Sequence, residues 1–251
     1  MRSRTLGWWL YQPYKWLVFA PLMALVTAAF ASVAVVMPFF ASPRLVSRVT
    51  GVPWARVLAR LIPMRVLVEG REHVDPRQSY VLVSNHQSQC DILVLYGWLG
   101  IDFKWVMKQE LRRVLGIGVA CERLGHVFID RSNHAAAIAT LEKAKAKIVD
   151  GTSVIFFPEG TRSRDGMLRP FKRGAFRMAL DLGLPILPLT VSGTRDVLPT
   201  GTRDLMPGSV RLVIHPPVAV DGLGGADCSR LSDEVRGIIA SGLPPSAAAT
   251  G

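Results

Sequence analysis

The sequence is poor in cysteine and lacks several common site motifs. Its three cysteines, Cys90, Cys121 and Cys228, are odd in number and show no CxxC spacing. Neither a disulfide framework nor a tetrahedral zinc site is therefore indicated, and we expect a reducing environment and no cofactor. No zinc-finger spacing, RNA-recognition signature or stripe of basic and aromatic residues is present, which argues against a nucleic-acid partner. A Gly-x-Ser-x-Gly elbow is also absent, so no serine acyl-enzyme is expected.

Acidic residues are scarce relative to basic ones. The chain carries 30 Lys and Arg against 19 Asp and Glu, a net charge of +11 with a pI of about 10.2. This excess indicates an anionic partner such as a phospholipid surface, a phosphorylated substrate or an acidic carrier protein. With 251 residues, 49% of them hydrophobic, the chain has enough material for one sizeable core and a membrane segment, but not for a second full-sized domain.

The N-terminal region has a long stretch without charge. Residues 16–43 contain no charged side chain, and residues 16–40 are apolar enough to cross a hydrocarbon core of about 30 Å. Aromatic residues border the stretch on its N-terminal side: Trp8, Trp9, Tyr11, Tyr14 and Trp16. Because basic residues flank both ends, a re-entrant anchor is as compatible with the charge pattern as a single span. A cleaved signal peptide is the competing interpretation, but cleavage after Ala31 would leave an apolar tail, so we favour a membrane anchor.

The next residues have the pattern of an amphipathic helix. In residues 52–62 Trp54, Val57, Leu58 and Leu61 recur at helical spacing, which is typical of an interfacial helix; an ordinary helix packed on the domain gives the same pattern. We therefore divide the chain into a membrane anchor with an interfacial helix (1–64), a catalytic domain (65–243) and a disordered tail (244–251).

From residue 65 onward short apolar runs alternate with helical stretches. Strands are predicted at residues 65–68, 80–84, 103–107, 127–129, 154–157, 187–191 and 210–214. Helices are predicted at residues 90–98, 110–115, 135–149, 174–182 and 230–239. This order predicts an α/β fold with a mixed, mostly parallel sheet flanked by helices, preceded by a hydrophobic anchoring helix or helical hairpin.

The stretch from residue 80 to residue 95 carries the first candidate site. His86 lies between a predicted strand and a predicted helix, where α/β proteins keep their chemistry. If Ser88 is the N-cap, Asp91 is at the third helical position and completes a capping box that faces His86. A carboxylate there fixes one imidazole nitrogen and leaves the other free to take a proton. The alternative is that Asp91 is only a cap and His86 a loop residue bonded to backbone.

Two further strand ends carry charged residues. In residues 154–163 (VIFFPEGTRS) an apolar strand is ended by Pro158 and followed by Gly160 and Arg162, a guanidinium suited to bidentate phosphate recognition. Residues 125–131 (GHVFIDR) form another strand with Asp130 and Arg131 at its end. The remaining basic residues between 164 and 177 are typical of a solvated loop near lipid headgroups.

Four segments together resemble a known family. Residues 85–91 (NHQSQCD, an HxxxxD box), 125–131 (a GxxFIDR box), 157–163 (FPEGTRS) and 184–189 (LPILPL) occur in the order of the glycerolipid acyltransferase family, specifically its bacterial 1-acyl-sn-glycerol-3-phosphate acyltransferases. The resemblance covers roughly residues 65–215. It implies transfer of an acyl group from acyl-CoA or acyl carrier protein to lysophosphatidic acid, giving phosphatidic acid at the cytoplasmic side of the inner membrane.

The resemblance also implies roles for individual residues. His86 is then the general base and Asp91 the residue that orients it. The glycerophosphate is held by residues that match the family's substrate-binding positions: Lys108, Arg131, Glu159, Gly160, Thr161 and Arg162. No metal is expected, because His86 and Asp91 have no third ligand at suitable spacing.

Three other functions stay open on the sequence. The acceptor headgroup is not fixed, since similar proteins also acylate other lysolipids, including lyso-ornithine lipids. The same base is able to activate water for thioester hydrolysis. A non-catalytic protein that binds anionic membranes is compatible with the net charge and the anchor.

Overall fold

A computed structural model describes residues 6–114, 116–130 and 132–244 of the chain. Its strands are β1 (Met64–Glu69), β2 (Val81–Ser84), β3 (Asp102–Lys108), β4 (Val127–Ile129), β5 (Thr152–Phe156), β6 (Ile186–Ser192) and β7 (Gly208–Ile214). Its helices are α1 (Leu6–Pro13), α2 (Ala20–Val36), α3 (Pro43–Val46), α4 (Val52–Leu61), α5 (Cys90–Trp98), α6 (Ile117–Arg123), α7 (His134–Lys145), α8 (Gly174–Leu182), α9 (Thr194–Val197) and α10 (Cys228–Ser241). Each predicted strand is present within two residues of its expected bounds.

The strands form one sheet in the order β1-β7-β6-β2-β5-β3-β4. Strands β6, β2, β5, β3 and β4 are mutually parallel, while β7 pairs antiparallel with β6 and parallel with β1. This arrangement confirms the predicted α/β class with a mixed, mostly parallel sheet. Because the five parallel strands end at one edge, the loops that follow them converge there.

Helices cover both faces of the sheet. Side chains alternate across β2, so that Leu82 packs with α4 and α5 on one face, while Val81 and Val83 pack with α8 and α10 on the other. Strands β2 and β6 are buried along their whole length, which explains why they are continuous apolar runs rather than alternating ones. The result is a three-layer core that holds the carboxyl edge of the sheet rigid.

The N-terminal region forms two helical segments. The first, Leu6–Phe39, is 34 residues long with a mean hydropathy of 2.2 and is long and apolar enough to cross a membrane by length and composition. Residues 43–61 then return along it, and the indole of Trp54 donates a hydrogen bond to Thr27 at 3.1 Å. Helix α4 packs against α5 through Ala55 and Leu58, both buried.

Some helices differ from the prediction. The helix predicted at residues 110–115 is not an α-helix over its described residues, 110–114: a short 3₁₀ helix, Gln109–Arg113, occupies this segment. Helices α6 and α9 were not predicted. Gly116 and Gly118 flank the start of α6 and lower its helical propensity, and Gly118 is required there because an added Cβ would lie 2.1 Å from the carbonyl oxygen of Arg112. Tertiary packing, rather than helical propensity, therefore makes residues 117–123 helical.

Candidate active site

His86 and Asp91 lie in direct contact at the carboxyl end of β2. The His86 Nδ1 is 2.7 Å from Asp91 Oδ2, and because a carboxylate only accepts, the imidazole N–H donates. The Asp91 side chain is fully buried, whereas 15% of the His86 side chain is exposed. The bonded Nδ1 fixes the tautomer that leaves Nε2 as an acceptor. The predicted pairing of these two side chains is thus present in the structure.

Asp91 is held by a dense set of donors. Oδ2 also accepts from the backbone N–H groups of Gln87 at 2.7 Å and Ser88 at 2.9 Å, and Oδ1 accepts from the hydroxyl of Thr194. The expected capping box is only half formed, because Ser88 Oγ accepts from Cys90 N at 3.2 Å rather than from Asp91 N, and the N-cap residue of helix α5 is Gln89 instead of Ser88. These bonds compensate the burial of the carboxylate.

The loop after β5 holds the backbone of His86 from both sides. Glu159 Oε1 accepts from His86 N at 2.8 Å, and Ser163 N donates to His86 O at 2.8 Å. Glu159 Oε2 accepts from Arg169 N at 3.1 Å. Burial raises the pKa of the Glu159 carboxyl to about 7, against these backbone bonds, which lower it. Both Glu159 oxygens are thus engaged with backbone.

Phe157 fixes the plane of the imidazole. The two rings are stacked, with centroids 3.8 Å apart and planes 10° from parallel, and Trp105 stacks behind Phe157 at 5.8 Å. Within the described part of the chain, Nδ1 is the ring nitrogen with a hydrogen-bond partner. His86 Nε2 is therefore available to accept a hydrogen bond from a ligand.

His86 lines a cavity of about 600 Å³, which we call the His86 cavity. Other residues predicted to bind substrate line it too: Lys108, Gly160, Thr161 and Arg162. Lys108 ends β3 and Arg162 follows β5, and neither cation has an ion-pair partner among residues 6–114, 116–130 and 132–244. Glu159 is not among the residues that line the cavity, and Arg131 is outside the described residues. Cationic and polar side chains thus line the same cavity as His86.

The rest of the His86 cavity is mainly apolar. Phe30 and Trp54 line it from the N-terminal segments, and Tyr96 lines it from α5. His126 also lines it, and is buried, hydrogen-bonded to Tyr96 and to Trp105 N. Burial lowers the pKa of His126 to about 3, so this ring is neutral. Its volume and its mainly apolar lining are typical of a ligand-binding pocket.

Thr194 is a site residue that the sequence reasoning missed. Its side chain is fully buried and donates to the oxygen of Asp91 that does not contact His86. It follows β6, the neighbour of β2, so contact with Asp91 depends on strand order. Its one signal in the sequence is a threonine after Ser192-Gly193 at a strand end, which is too common to single out.

The described residues contain no group of three or more His, Cys, Asp or Glu side chains placed to hold a metal ion.

Comparison with known proteins gives the family of the chain. The family model described as Acyltransferase matches residues 65–192, about half of the chain. The chain belongs to the acyltransferase family. The crystal structure of the 1-acyl-sn-glycerophosphate (LPA) acyltransferase PlsC from Thermotoga maritima superposes with a TM-score of 0.71 at 28% identity, covering 87% of this chain and 92% of that one.

Curated relatives of this acyltransferase carry related names. The human 1-acyl-sn-glycerol-3-phosphate acyltransferase alpha is 38% identical over 177 residues, which cover 70% of this chain and 62% of that protein. The chloroplastic 1-acyl-sn-glycerol-3-phosphate acyltransferase LPAT1 of Arabidopsis thaliana is 36% identical over 181 residues, covering 71% and 49%. The matched region thus spans less than two thirds of the length of these relatives.

Proposed function

We propose that the protein transfers a fatty acyl group from acyl-CoA or acyl carrier protein to the sn-2 hydroxyl of 1-acyl-sn-glycerol-3-phosphate, giving phosphatidic acid. The observation that carries the proposal is the bonded His86–Asp91 pair, in which His86 lines a mainly apolar cavity together with two cations, Lys108 and Arg162. The names of the relatives support the same reaction.

In this reaction His86 acts as the general base. Nε2 takes the proton of the acceptor hydroxyl while its oxygen attacks the thioester carbonyl carbon. The tetrahedral intermediate then collapses, the C–S bond breaks, and the imidazolium returns the proton to the departing thiolate. Asp91 stays ionised and balances the charge of the imidazolium, as in other acid–base pairs of this kind. Such a positioned base contributes about 10²- to 10⁴-fold to the rate.

The acceptor phosphate binds Lys108 and Arg162. A guanidinium offers two parallel N–H donors to a phosphate, and an ammonium adds a compact charge. Gly160 and Thr161, beside Arg162 in the cavity wall, complete the contact surface. Arg131 is a further phosphate ligand by family resemblance. For Glu159 we propose an indirect role: it positions the backbone of His86 instead of contacting the anion.

The N-terminal segments are proposed to anchor the protein in the inner membrane with the catalytic domain on the cytoplasmic side. The long helix supports association with a membrane by its length and hydropathy. The division into an anchor (1–64), a catalytic domain (65–243) and a tail (244–251) follows the same proposal. Residues 245–251 lie outside the described chain.

The test is a mass-spectrometric turnover assay of detergent-purified protein with one acyl-CoA and an equimolar mixture of lysophosphatidic acid and other lysophospholipids. Wild type is compared with His86→Ala and with His73→Ala, a matched control whose ring bonds Ile214 O at the β1–β7 edge. We expect selective conversion of lysophosphatidic acid that is lost in His86→Ala alone. Conversion of another lysolipid, or acyl-CoA hydrolysis without an acceptor, would contradict the proposed reaction.

A further inference from the structure

Lys15 is a buried cation in an N-terminal helix that has no other charged residue between Leu6 and Phe39. Only 5% of the residue is exposed. Its ammonium donates to the backbone oxygen of Arg203 at 3.1 Å and lies 4.8 Å from the ring centre of Trp16. Within the described chain no carboxylate oxygen lies within 4.0 Å of this nitrogen. The negative charge of Asp204 attracts it from a greater distance. Burial of an ammonium without a paired anion is unfavourable. An anionic ligand would therefore stabilise Lys15 in this position.

Lys15 lies at the wall of a second, larger cavity. This Lys15 cavity has a volume of about 1050 Å³ and runs between the long N-terminal helix and helices α4 and α5. Its lining is mostly apolar, with Phe19, Ala24 and Leu58 among the side chains, while Lys15 and Arg203 supply positive charge. A large apolar cavity with two cations matches a molecule with an acyl chain and an anionic head.

The two cavities share walls. Thr27, Trp54, Gln89 and Ile92 line both the Lys15 cavity and the His86 cavity. Gln89 is exposed and lies three residues after His86 in the chain. A lipid held in the Lys15 cavity therefore contacts side chains that also line the cavity of the catalytic base.

The ring of Trp16 beside Lys15 also indicates the depth of the Lys15 cavity relative to a bilayer. Tryptophan side chains concentrate at the headgroup level of a bilayer, and the Trp8 ring also lies within 5.9 Å of the Lys15 ammonium. A cation at this depth meets the phosphates of lipids, whereas a water-soluble acyl carrier approaches from the aqueous side. Among the two substrates, the anionic single-chain acceptor is the one that this position suits.

We propose that the Lys15 cavity is a second binding site for the lysophosphatidic acid acceptor, with the phosphate at Lys15 and Arg203 and the acyl chain along the long helix. From this site the acceptor passes to Lys108 and Arg162 beside His86. The proposal rests on the proposed function for the identity of the lipid. It extends that function by a waiting site on the membrane side of the enzyme.

The test measures binding without turnover. Full-length His86→Ala protein in detergent is titrated with lysophosphatidic acid and observed by native mass spectrometry, with zwitterionic lysophosphatidylcholine as the background. We expect two saturable molecules of lysophosphatidic acid per chain. Adding Lys15→Gln, which keeps an N–H donor for the Arg203 carbonyl, is expected to weaken one of them at least about 10-fold, since one charged contact to phosphate is lost.

Two further variants make the result decisive. Arg203 is exposed and its backbone carbonyl survives substitution, so Arg203→Gln tests the same site without loosening the helix. Lys108→Gln is expected to weaken the other molecule. One molecule bound to the His86→Ala protein, or two whose affinities ignore Lys15→Gln and Arg203→Gln, overturns the waiting site. The binding titration does not measure acyl transfer. Absence of acyl transfer by wild type in the turnover assay would instead refute the proposed function.

Discussion

The stability of the protein is expected to depend on pH through Glu159. This carboxyl is 6% exposed, and burial raises its pKa from 4.5 to about 7. The folded state therefore binds a proton more tightly than the unfolded state. The corresponding contribution to stability is complete below about pH 4.5 and is lost as pH rises through about 7.

The size of the effect follows from the pKa values. Each pH unit between the two values corresponds to about 1.4 kcal/mol, so a rise from 4.5 to about 7 amounts to about 3 kcal/mol. Glu159→Gln removes the ionisation but keeps the side-chain shape and one acceptor for His86 N. We expect the variant to match wild type within about 1 kcal/mol in acid and to exceed it by about 3 kcal/mol near pH 8.

The assay is urea unfolding of full-length protein in detergent, followed by tryptophan fluorescence from about pH 5 to about pH 8. Asp165→Asn is the matched control, because hydrogen bonds from Ser163 and Met167 N lower the pKa of that exposed carboxyl, which stays ionised throughout this range. Its difference from wild type should be flat. A flat difference for Glu159→Gln as well would show that the backbone donors outweigh burial and would refute the reasoning.

Three other substitutions test the surroundings of the site. Thr194→Val should lower kcat in steady-state kinetics about 10- to 100-fold, because a charge-assisted hydrogen bond worth about 1.5 to 3 kcal/mol is lost. Thr194→Ser should restore kcat, and equal kcat for wild type and both variants would exclude a positioning role. Gly193→Ala should cost at least about 2 kcal/mol more than Gly201→Ala in urea unfolding, because both glycines have positive φ but only at Gly193 does an added Cβ lie 2.3 Å from a backbone oxygen. Arg162→Lys should raise the KM for lysophosphatidic acid about 10-fold, since a bidentate contact is lost; an unchanged KM would place the phosphate elsewhere.

The sequence predicted the sheet well because its strands are locally distinct. Apolar, β-branched runs bounded by Gly, Pro or polar residues mark each strand, and burial on both faces makes these runs continuous. Helices α5 and α8 were also predicted with their observed bounds, Cys90–Trp98 and Gly174–Leu182. Helix α6 was missed because two glycines obscure it and tertiary packing supplies what propensity lacks.

The site was predictable only where its parts are close in the chain. His86 and Asp91 are five residues apart, so their contact follows from a strand–loop–helix turn. The hydrogen bonds from Thr194 to Asp91 and from His86 to Glu159 join residues about 100 and about 70 positions apart. Those contacts depend on β6 and β5 flanking β2, and no local pattern encodes strand order.

The order of the parallel strands has a consequence for how such an enzyme diversifies. In the proposed reaction the base follows β2, and Thr194, which bonds Asp91, follows β6, while the acceptor phosphate binds Lys108 at the end of β3 and Arg162 after β5. Proton transfer and headgroup recognition are then carried by separate segments along one edge of the sheet. Replacement of Lys108 at the end of β3 is able to change the headgroup that binds while the bond between His86 and Asp91 stays intact, so a lineage can acquire new acceptors without re-evolving its chemistry.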